Sequence, residues 1–529
     1  MSHDRKTGDV DDQSDLVAFL SRPDAYAGRP ERVERIESLI SFVFLAGDRA
    51  YKLKRAVRLP YLDFSTVERR RAACEEEMRV NRRTAPALYL DLLPVVRAAD
   101  GALAIGGAGT PVDWLIVMAR FPQDCLLDAV ATRDGLVGDL PRKLADAVAR
   151  FHGSAPVVTD LGGPQAMSAL VELNTRRLAE TGLARRDPAL AARLDRETRH
   201  RLEHLRDELE ARRRDGMVRH VHGDLHLRNV VLLDGVPTLF DAIEFSREIA
   251  CCDVLYDLAF LLMDIVHRGF DAAANAVMNR YLDVTGDPGV RLLPVFMSIR
   301  AAIRAHVSAG AASLRGEADT PSEAAEPAEY LALAAGLLRP AEPLVLAIGG
   351  LSGTGKSSVA AGLAPRIRPA PGARILRADV LRKRLAGVLP EQRLPDASYT
   401  PERTARVYSA LIGQAAAAGH PVIVDATFAD PARRDAIARA AASAGARFVG
   451  VWLEGDPSIL KERVARRSGD ASDATPAVVE RQAAADVGAI TWARIDATAP
   501  LAEVVERVGA AAGLGGPRDL PNHGDSPAV

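Results

Sequence analysis

The sequence predicts two successive domains, an α+β bilobal unit and then an α/β unit with a parallel sheet covered by helices. Three observations carry this expectation. Turn-linked strand patterns followed by a long series of helical patterns fill the first 338 residues, and from Leu344 onward strand and helix alternate. Pro340 and Pro343 punctuate the join between these two regimes. At 529 residues the chain also exceeds the roughly 150 residues of an ordinary domain. The expected boundaries are a polar leader and short helix over 1–29, a first domain over 30–338, a linker over 339–343, a second domain over 344–512 and a Gly/Pro-rich disordered tail over 513–529. Within the first domain the lobes would cover about 30–115 and about 120–338.

Composition narrows the partners. Lysine plus arginine (68) nearly balances aspartate plus glutamate (70), so no global field points to nucleic acid or to an acidic surface. An aromatic content of 5% also argues against a polynucleotide groove. Cys74, Cys125, Cys251 and Cys252 show no paired metal spacing, and the adjacency of the last two speaks against a disulfide scaffold. The N-terminus is polar where a signal peptide is apolar, and no run reaches the roughly 18 apolar residues of a membrane span. The expectation is a soluble cytoplasmic protein whose partners are small molecules, with no membrane and no nucleic acid.

In the first domain, Arg32 to Arg55 reads as two or three strands joined by the turn Ala46-Gly47-Asp48. Period-2 alternation puts Ala50, Lys52 and Lys54 on one strand face, where a small residue beside a lysine suits an adenine and its phosphates. Ala50-Tyr51-Lys52 resembles the Ala-x-Lys of kinase strand three, and that resemblance favours Lys52 as the phosphate lysine, with Lys54 close behind. A charged helix over Thr66 to Arg83 carries Glu75, Glu76 and Glu77, of which Glu77 is chosen as the ion-pair partner. Glu34 to Phe44 contains no glycine, so a glycine-rich phosphate flap is missing.

Val112 to Phe121 is an apolar strand leading to a hinge at Pro122, and Arg142 to His152 is a helix stopped by Gly153. Leu190 to Arg213 reads as one amphipathic helix. Asp224 is followed five positions later by Asn229, and Asp241 ends a short strand, Val236 to Phe240, opened by the turn Asp234-Gly235. An acceptor-only carboxylate at 224 can orient a hydroxyl, while Asn229 and Asp241 offer oxygen ligands to a hard divalent cation from two neighbouring segments.

This stretch, with His222, Gly223, Asp224, His226 and Asn229 in the order HGDxHxxN, resembles the aminoglycoside phosphotransferase and choline kinase group. The resemblance implies a protein-kinase-like fold acting on small molecules, with ATP and Mg2+. It also implies that Asp257, i+4 from Asp253 in an apolar helical pattern, braces the catalytic loop. Helical segments continue to Leu338, interrupted by a polar loop over Gly316 to Pro327.

In the second domain an apolar strand over Leu344 to Ile348 runs straight into Gly350, Leu351, Ser352, Gly353, Thr354, Gly355, Lys356 and Ser357, a complete GxxxxGK(S/T) match. Strand, glycine loop and helix in that order cradle phosphate on backbone N–H groups, bring Lys356 to the terminal phosphates and give magnesium the Ser357 hydroxyl. Asp379 and Arg382 follow the strand Arg374 to Arg377. Asp425 ends the strand in VIVDATF, where it either orients the metal through water or contacts substrate. The Asp-x-x-Arg spacing resembles polynucleotide kinases, gluconate kinases and zeta-type toxins. That comparison implies that Asp379 takes the acceptor hydroxyl proton and Arg382 grips substrate. Arg463, Arg466 and Arg467 precede a polar loop, Ser468 to Thr475, with the composition of a lid whose arginines neutralise phosphate. The whole reads as an ATP- and Mg2+-dependent phosphotransferase with two kinase-type sites, each acting on a small-molecule hydroxyl. The competing reading is a ligand- or ATP-sensing first module fused to one active P-loop kinase, toxin-like or acting on nucleic-acid ends.

Overall fold

A computed structural model describes residues 11–59, 62–315, 321–466 and 470–514. In the first lobe, β1 (Val33–Glu37), β2 (Ser41–Ala46) and β3 (Arg49–Lys54) form a meander. Its first turn is tied by Ser38 Oγ, which accepts the Ser41 N–H at 2.9 Å, and its second uses Gly47 at φ 62°. Helix α2 (Val67–Asn81) follows, then β4 (Tyr89–Arg97), β5 (Leu103–Ile105) and β6 (Thr110–Ala119). The sheet is antiparallel with strand order β1-β2-β3-β6-β4-β5. Alternation divides its side chains between two cores. Phe44, Leu53 and Leu115 pack with Leu16 and Leu20 of α1 (Ser14–Leu20), whereas Leu45, Ala50 and Ile116 pack with Cys74 and Met78 of α2.

The second lobe is mostly helical, and several boundaries differ from expectation. Helix α3 (Leu140–Ser154) runs through Gly153. The single helix expected over Leu190 to Arg213 is two, α4 (Pro188–His204) and α5 (Arg206–Arg214), broken where Leu205 leaves helical geometry. After the break Leu209 is buried and Arg212 makes a bidentate pair with Asp253 at 2.7 and 2.8 Å. Asp253 does not share a helix with Asp257. It closes β10 (Cys251–Asp253), which pairs with β7 (Val218–His220), and α6 (Val254–His267) begins after it. Between them lies the hairpin of β8 (Val230–Leu233) and β9 (Val236–Leu239), with Asp234 and Gly235 both at positive φ, the geometry a two-residue hairpin loop demands. Helix α7 (Asp271–Thr285) follows. Of the polar loop expected over 316–327, residues 316–320 lie outside the described residues. From Pro321 the chain is already in α8 (Pro321–Leu337), which tolerates Pro327 within it.

The remaining residues build a five-stranded parallel sheet of β11 (Leu344–Gly350), β12 (Arg374–Arg377), β13 (Val422–Asp425), β14 (Arg447–Glu454) and β15 (Ala493–Asp496), in the order β12-β13-β11-β14-β15. Helices α9 (Lys356–Leu363), α10 (Ala378–Leu385), α11 (Pro401–Ala417), α12 (Pro431–Ser443), α13 (Pro457–Ala465), α14 (Pro476–Ala484) and α15 (Leu501–Ala511) complete it. Leu346, Ile348 and Ile423 bury one face against α9 and α15, and Val345, Ala347 and Val424 bury the other against α11 and α12.

By contact density the chain forms two compact units. One runs to Leu170 and resumes over His204–Leu261, and the other joins Val171–Glu203 to everything from Leu262. This division does not fall at 339–343. It passes between Leu170 and Val171, just before the end of α4 and through α6.

Candidate active sites

In the first site the single strand face of β3 delivers both lysines to one glutamate. Lys52 Nζ lies 2.7 Å from Glu77 Oε1 and 2.5 Å from Asp241 Oδ1. Lys54 Nζ lies 2.6 Å from Glu77 Oε2 and also bonds Glu244. Of the three glutamates on α2 it is Glu77, fully buried, that faces β3, while Glu75 pairs with Arg71 and Glu76 with Arg79 at the surface. Burial alone would lift the Glu77 carboxyl, but the two lysines overcome it and bring it down to about 2. Burial would likewise lower the Lys52 ammonium, yet Asp241 and Glu77 together hold it well above its usual value. Burial wins at Glu244, whose carboxyl is pushed up.

The loop after β7 is fixed by a buried carboxylate. Asp257 Oδ1 accepts the Gly223 N–H at 2.8 Å, and Oδ2 accepts the His222 N–H at 3.3 Å and lies 3.0 Å from His152 Nε2. Gly223 sits at φ 80°, and a Cβ there would come 3.2 Å from the Ala250 Cα. His222 Nε2 reaches the Phe240 carbonyl at 2.8 Å. Asn229 Nδ2 donates to the Asp224 carbonyl at 2.9 Å and to its Oδ2 at 3.1 Å, and His226 Nε2 lies 3.3 Å from the same oxygen. Asp224 remains 40% exposed, open to an acceptor.

The Phe240 N–H bonds the Asn229 carbonyl at 3.0 Å, which brings the backbones of the two proposed metal ligands together. Asp241 is held at φ 61°, uncommon for aspartate, with its N–H on the Tyr89 hydroxyl at 3.1 Å. The donor set is oxygen-rich and fits a hard cation. Among the described residues no group of three or more His, Cys, Asp or Glu could hold a metal alone, so such a cation would share its shell with phosphate and water.

In the second site the glycines are demanded by space. A Cβ on Gly350 would lie 2.5 Å from the Leu453 carbonyl oxygen, and one on Gly353 2.6 Å from that of Leu460. Gly355, at φ 82°, caps α9. Lys356 Nζ bonds the carbonyls of Gly350 at 2.9 Å and Leu351 at 2.8 Å, buried Thr354 Oγ1 also bonds Leu351, and the Ser352 N–H is taken by Gln482 of α14 at 2.8 Å. Ser357 Oγ lies 2.6 Å from Asp425 Oδ2, and Asp425 is 3.4 Å from Arg377. Asp379 is the second residue of α10, not its N-cap; burial raises its carboxyl, with Asp425 adding to the effect and Ser472 opposing it. Arg382 is buried, donating to the Ser398 carbonyl at 3.1 Å and Thr404 Oγ1 at 3.3 Å beneath the Tyr399 ring.

The arginines expected to neutralise phosphate make other contacts. Arg463 donates to the Ala497 carbonyl at 2.8 Å, because α13 turns it toward the end of β15. Arg466 is 79% exposed and pairs with Glu462 one turn back. Arg467 lies outside the described residues. Sequence reasoning missed Glu244, although a second lysine on a buried face calls for a second carboxylate. It also missed Arg377, whose place at a carboxyl strand end was the available signal. For Gln482 no sequence signal exists, because only the fold brings α14 to the loop.

Residues 32–293 match the model of the phosphotransferase enzyme family (APH), and residues 345–485 match that of the AAA domain (AAA_33). The chain is a fusion of an APH-type kinase domain and a P-loop AAA-type domain. These families make its chemistry kinase-type phosphotransfer. Along its length the fusion is 29% identical over 480 residues to "Uncharacterized protein Rv2004c" of Mycobacterium tuberculosis, covering 88% of this chain and 92% of that one. Among solved structures, the P-loop domain is similar to a gluconokinase from Sinorhizobium meliloti 1021 at 25% identity, covering 33% of this chain and 94% of that chain with a TM-score of 0.24. The APH domain is similar to a choline/ethanolamine kinase family protein from Mesorhizobium loti at 15% identity, covering 61% and 99% with a TM-score of 0.35.

Proposed function

We propose that the chain is an ATP- and Mg2+-dependent phosphotransferase with two kinase-type sites, each transferring phosphate to a hydroxyl of a small molecule in the cytoplasm. The observation that carries this is the Lys52 ammonium bonded at once to Glu77 and to Asp241 beside the Asp224–Asn229 loop. In the APH domain Asp224 orients the acceptor hydroxyl and Lys52 binds phosphate oxygen, while Lys54, paired with Glu77 and Glu244, supports it from behind. Asn229 and Asp241 would hold Mg2+, which neutralises charge on the transferring phosphate. In the P-loop domain Lys356 and the loop N–H groups bind phosphate, Ser357 and Asp425 serve the metal, and Asp379 receives the acceptor proton, with Arg382 shaping the acceptor side. No helix among the described residues is long and apolar enough to cross a membrane, and all four cysteines are free thiols.

A second reading, in which the APH domain binds nucleotide without turnover, is favoured by the β1–β2 turn. It has no glycine and presents an exposed Leu39 where a flexible phosphate flap would offer N–H groups. Screening ATP consumption over sugars, amino alcohols, aminoglycosides and nucleosides with wild type, Asp224→Ala and Lys356→Ala separates the readings. Two active sites give a different activity lost in each variant, by about 100-fold or more. If Asp224→Ala leaves every activity and ATP affinity unchanged, the APH domain is no kinase.

A further inference from the structure

The loop from Gly350 to Ser357 is braced by two helices far along the chain. The Leu460 carbonyl of α13 lies so near Gly353 that a Cβ there would come within 2.6 Å of its oxygen. Helix α14 joins α13 through the buried side chains of Leu460, Val464 and Val479 and through the Lys461–Glu480 pair at 2.8 Å. Leu351 of the loop packs against the same three side chains. Val479 and Gln482 are spaced i, i+3 on α14 and share one face. That face meets the loop twice in succession, with Val479 in the cluster that holds Leu351 and Gln482 Oε1 accepting the Ser352 N–H at 2.8 Å.

The peptide so held is the one that carries Lys356. The Leu351–Ser352 peptide has its N–H on Gln482 and its carbonyl on Lys356 Nζ at 2.8 Å, with Thr354 Oγ1 donating to the same carbonyl at 2.9 Å. A planar trans peptide sends its N–H and C=O to opposite sides, so anchoring one end fixes where the other points. Turned over, it would set an N–H against the lysine ammonium. The Gly350 and Thr354 N–H groups bond the backbone carbonyls of Thr427 at 3.1 Å and Leu351 at 3.4 Å, whereas that of Ser352 depends on a side chain.

We propose that Gln482 is a positioning residue of the P-loop site. By holding the Ser352 N–H it orients the Leu351 carbonyl, and through that carbonyl the Lys356 ammonium that receives the terminal phosphates. Gln482 itself touches neither nucleotide nor acceptor in this role. The inference rests on the P-loop kinase reading above.

The test needs no acceptor. Gln482→Leu keeps the bulk of the side chain and removes the oxygen, while Gln482→Glu restores an oxygen on the side of the peptide away from Lys356. Full-length proteins are first labelled briefly with acetic anhydride without nucleotide, and each lysine is read by peptide mass spectrometry. Lys356 should take label faster in Gln482→Leu and return toward the wild-type rate in Gln482→Glu. Lys383, 1% exposed and bonded to Asp473 at 3.0 Å, should stay protected in all three proteins, which shows that the domain remains folded. Titration with ATPγS and Mg2+ follows, read by hydrogen exchange on peptides within 344–363 so that the P-loop domain reports apart from the APH domain. Gln482→Leu should bind about tenfold more weakly, the worth of one hydrogen bond, and Gln482→Glu should lie closer to wild type than to Gln482→Leu. The proposal is overturned if Lys356 labels at the wild-type rate in Gln482→Leu, if Lys383 loses protection along with it, or if Gln482→Glu behaves as Gln482→Leu in both measurements. If Lys356→Ala leaves the ATPγS affinity of these peptides unchanged, the P-loop kinase reading itself fails and the proposal with it.

Discussion

Replacing Glu77 by glutamine isolates the electrostatic core of the APH domain with almost no change of shape. Glu77 is fully buried and shared, one oxygen 2.7 Å from Lys52 and the other 2.6 Å from Lys54. Glutamine offers an oxygen to one lysine and turns an N–H2 toward the other, leaving a buried ammonium short of a partner. Breaking a buried ion pair in this way costs about 3–5 kcal/mol. The two lysines bring the carboxyl from an ordinary 4.5 down to about 2, a shift in the same direction.

Since the folded value lies below the unfolded one, this stability is complete above pH 4.5 and fades as the pH falls toward 2. The assay is urea-dependent hydrogen exchange read on peptides covering β3 and α2. Glu75→Gln, at an exposed i,i+4 pair with Arg71, serves as the control and should cost less than about 0.5 kcal/mol. At pH 7 Glu77→Gln should open these peptides more easily by about 3 kcal/mol, and the difference from wild type should shrink below pH 4.5. A Glu77→Gln effect no larger than that of Glu75→Gln, or one that does not shrink in acid, refutes the reasoning.

Two further predictions concern the unit that contains the P-loop sheet. Asn279 Oδ1 accepts the Ile375 N–H of β12 at 2.7 Å and the Arg374 guanidinium at 3.0 Å, so Asn279→Leu should cost about 1–3 kcal/mol in urea unfolding followed by Trp452 and Trp492 fluorescence. An unchanged midpoint would show that these donors find other partners. His420 is buried with Nε2 2.9 Å from the Gly372 carbonyl, and burial pushes its pKa from 6.5 down to about 4. Its folded value is the lower one, so its contribution is complete above about pH 6.5 and is lost as the pH falls through 4, about 3 kcal/mol in all. His420→Gln should flatten urea midpoints measured between pH 7 and 4.5, and an unchanged slope would refute the assignment.

What could be read from the sequence, and what could not, divides by range. The P-loop, the β3 face and the 224–241 stretch are local patterns, in which period-2 alternation or a glycine turn already fixes where a side chain points. Period 3.6 on α2 could not by itself rank Glu75, Glu76 and Glu77, because all three are equally polar. Only the position of β3 across the helix decides that Glu77 faces inward. Glu244, Arg377 and Gln482 owe their places to chain segments far away in sequence, and the helix break at Leu205 has no glycine or proline to announce it.

The proline-flanked linker at 339–343 marks a change of composition, but packing follows hydrogen bonds. The outer edge of β12 would leave backbone groups unpaired, and α7 supplies the missing partners from residues upstream of the linker. Asn275 donates to the carbonyls of Pro371 at 3.0 Å and Ala373 at 3.1 Å, Asn279 takes the Ile375 N–H, and Arg374 reaches Asp283 at 2.6 Å. Arg280 extends the contact to Glu391 at 2.6 Å, in the loop that follows α10. A buried polar ladder of this kind is costly to separate, since each group left behind loses a bond that an exposed edge would otherwise seek from another chain. A sequence pattern with a period of 3.6 could place these asparagines on one face of α7 and would still read that face as solvated, because nothing local says that a sheet edge lies against it. The P-loop sheet therefore takes its closing edge from a helix that the linker separates from it in sequence.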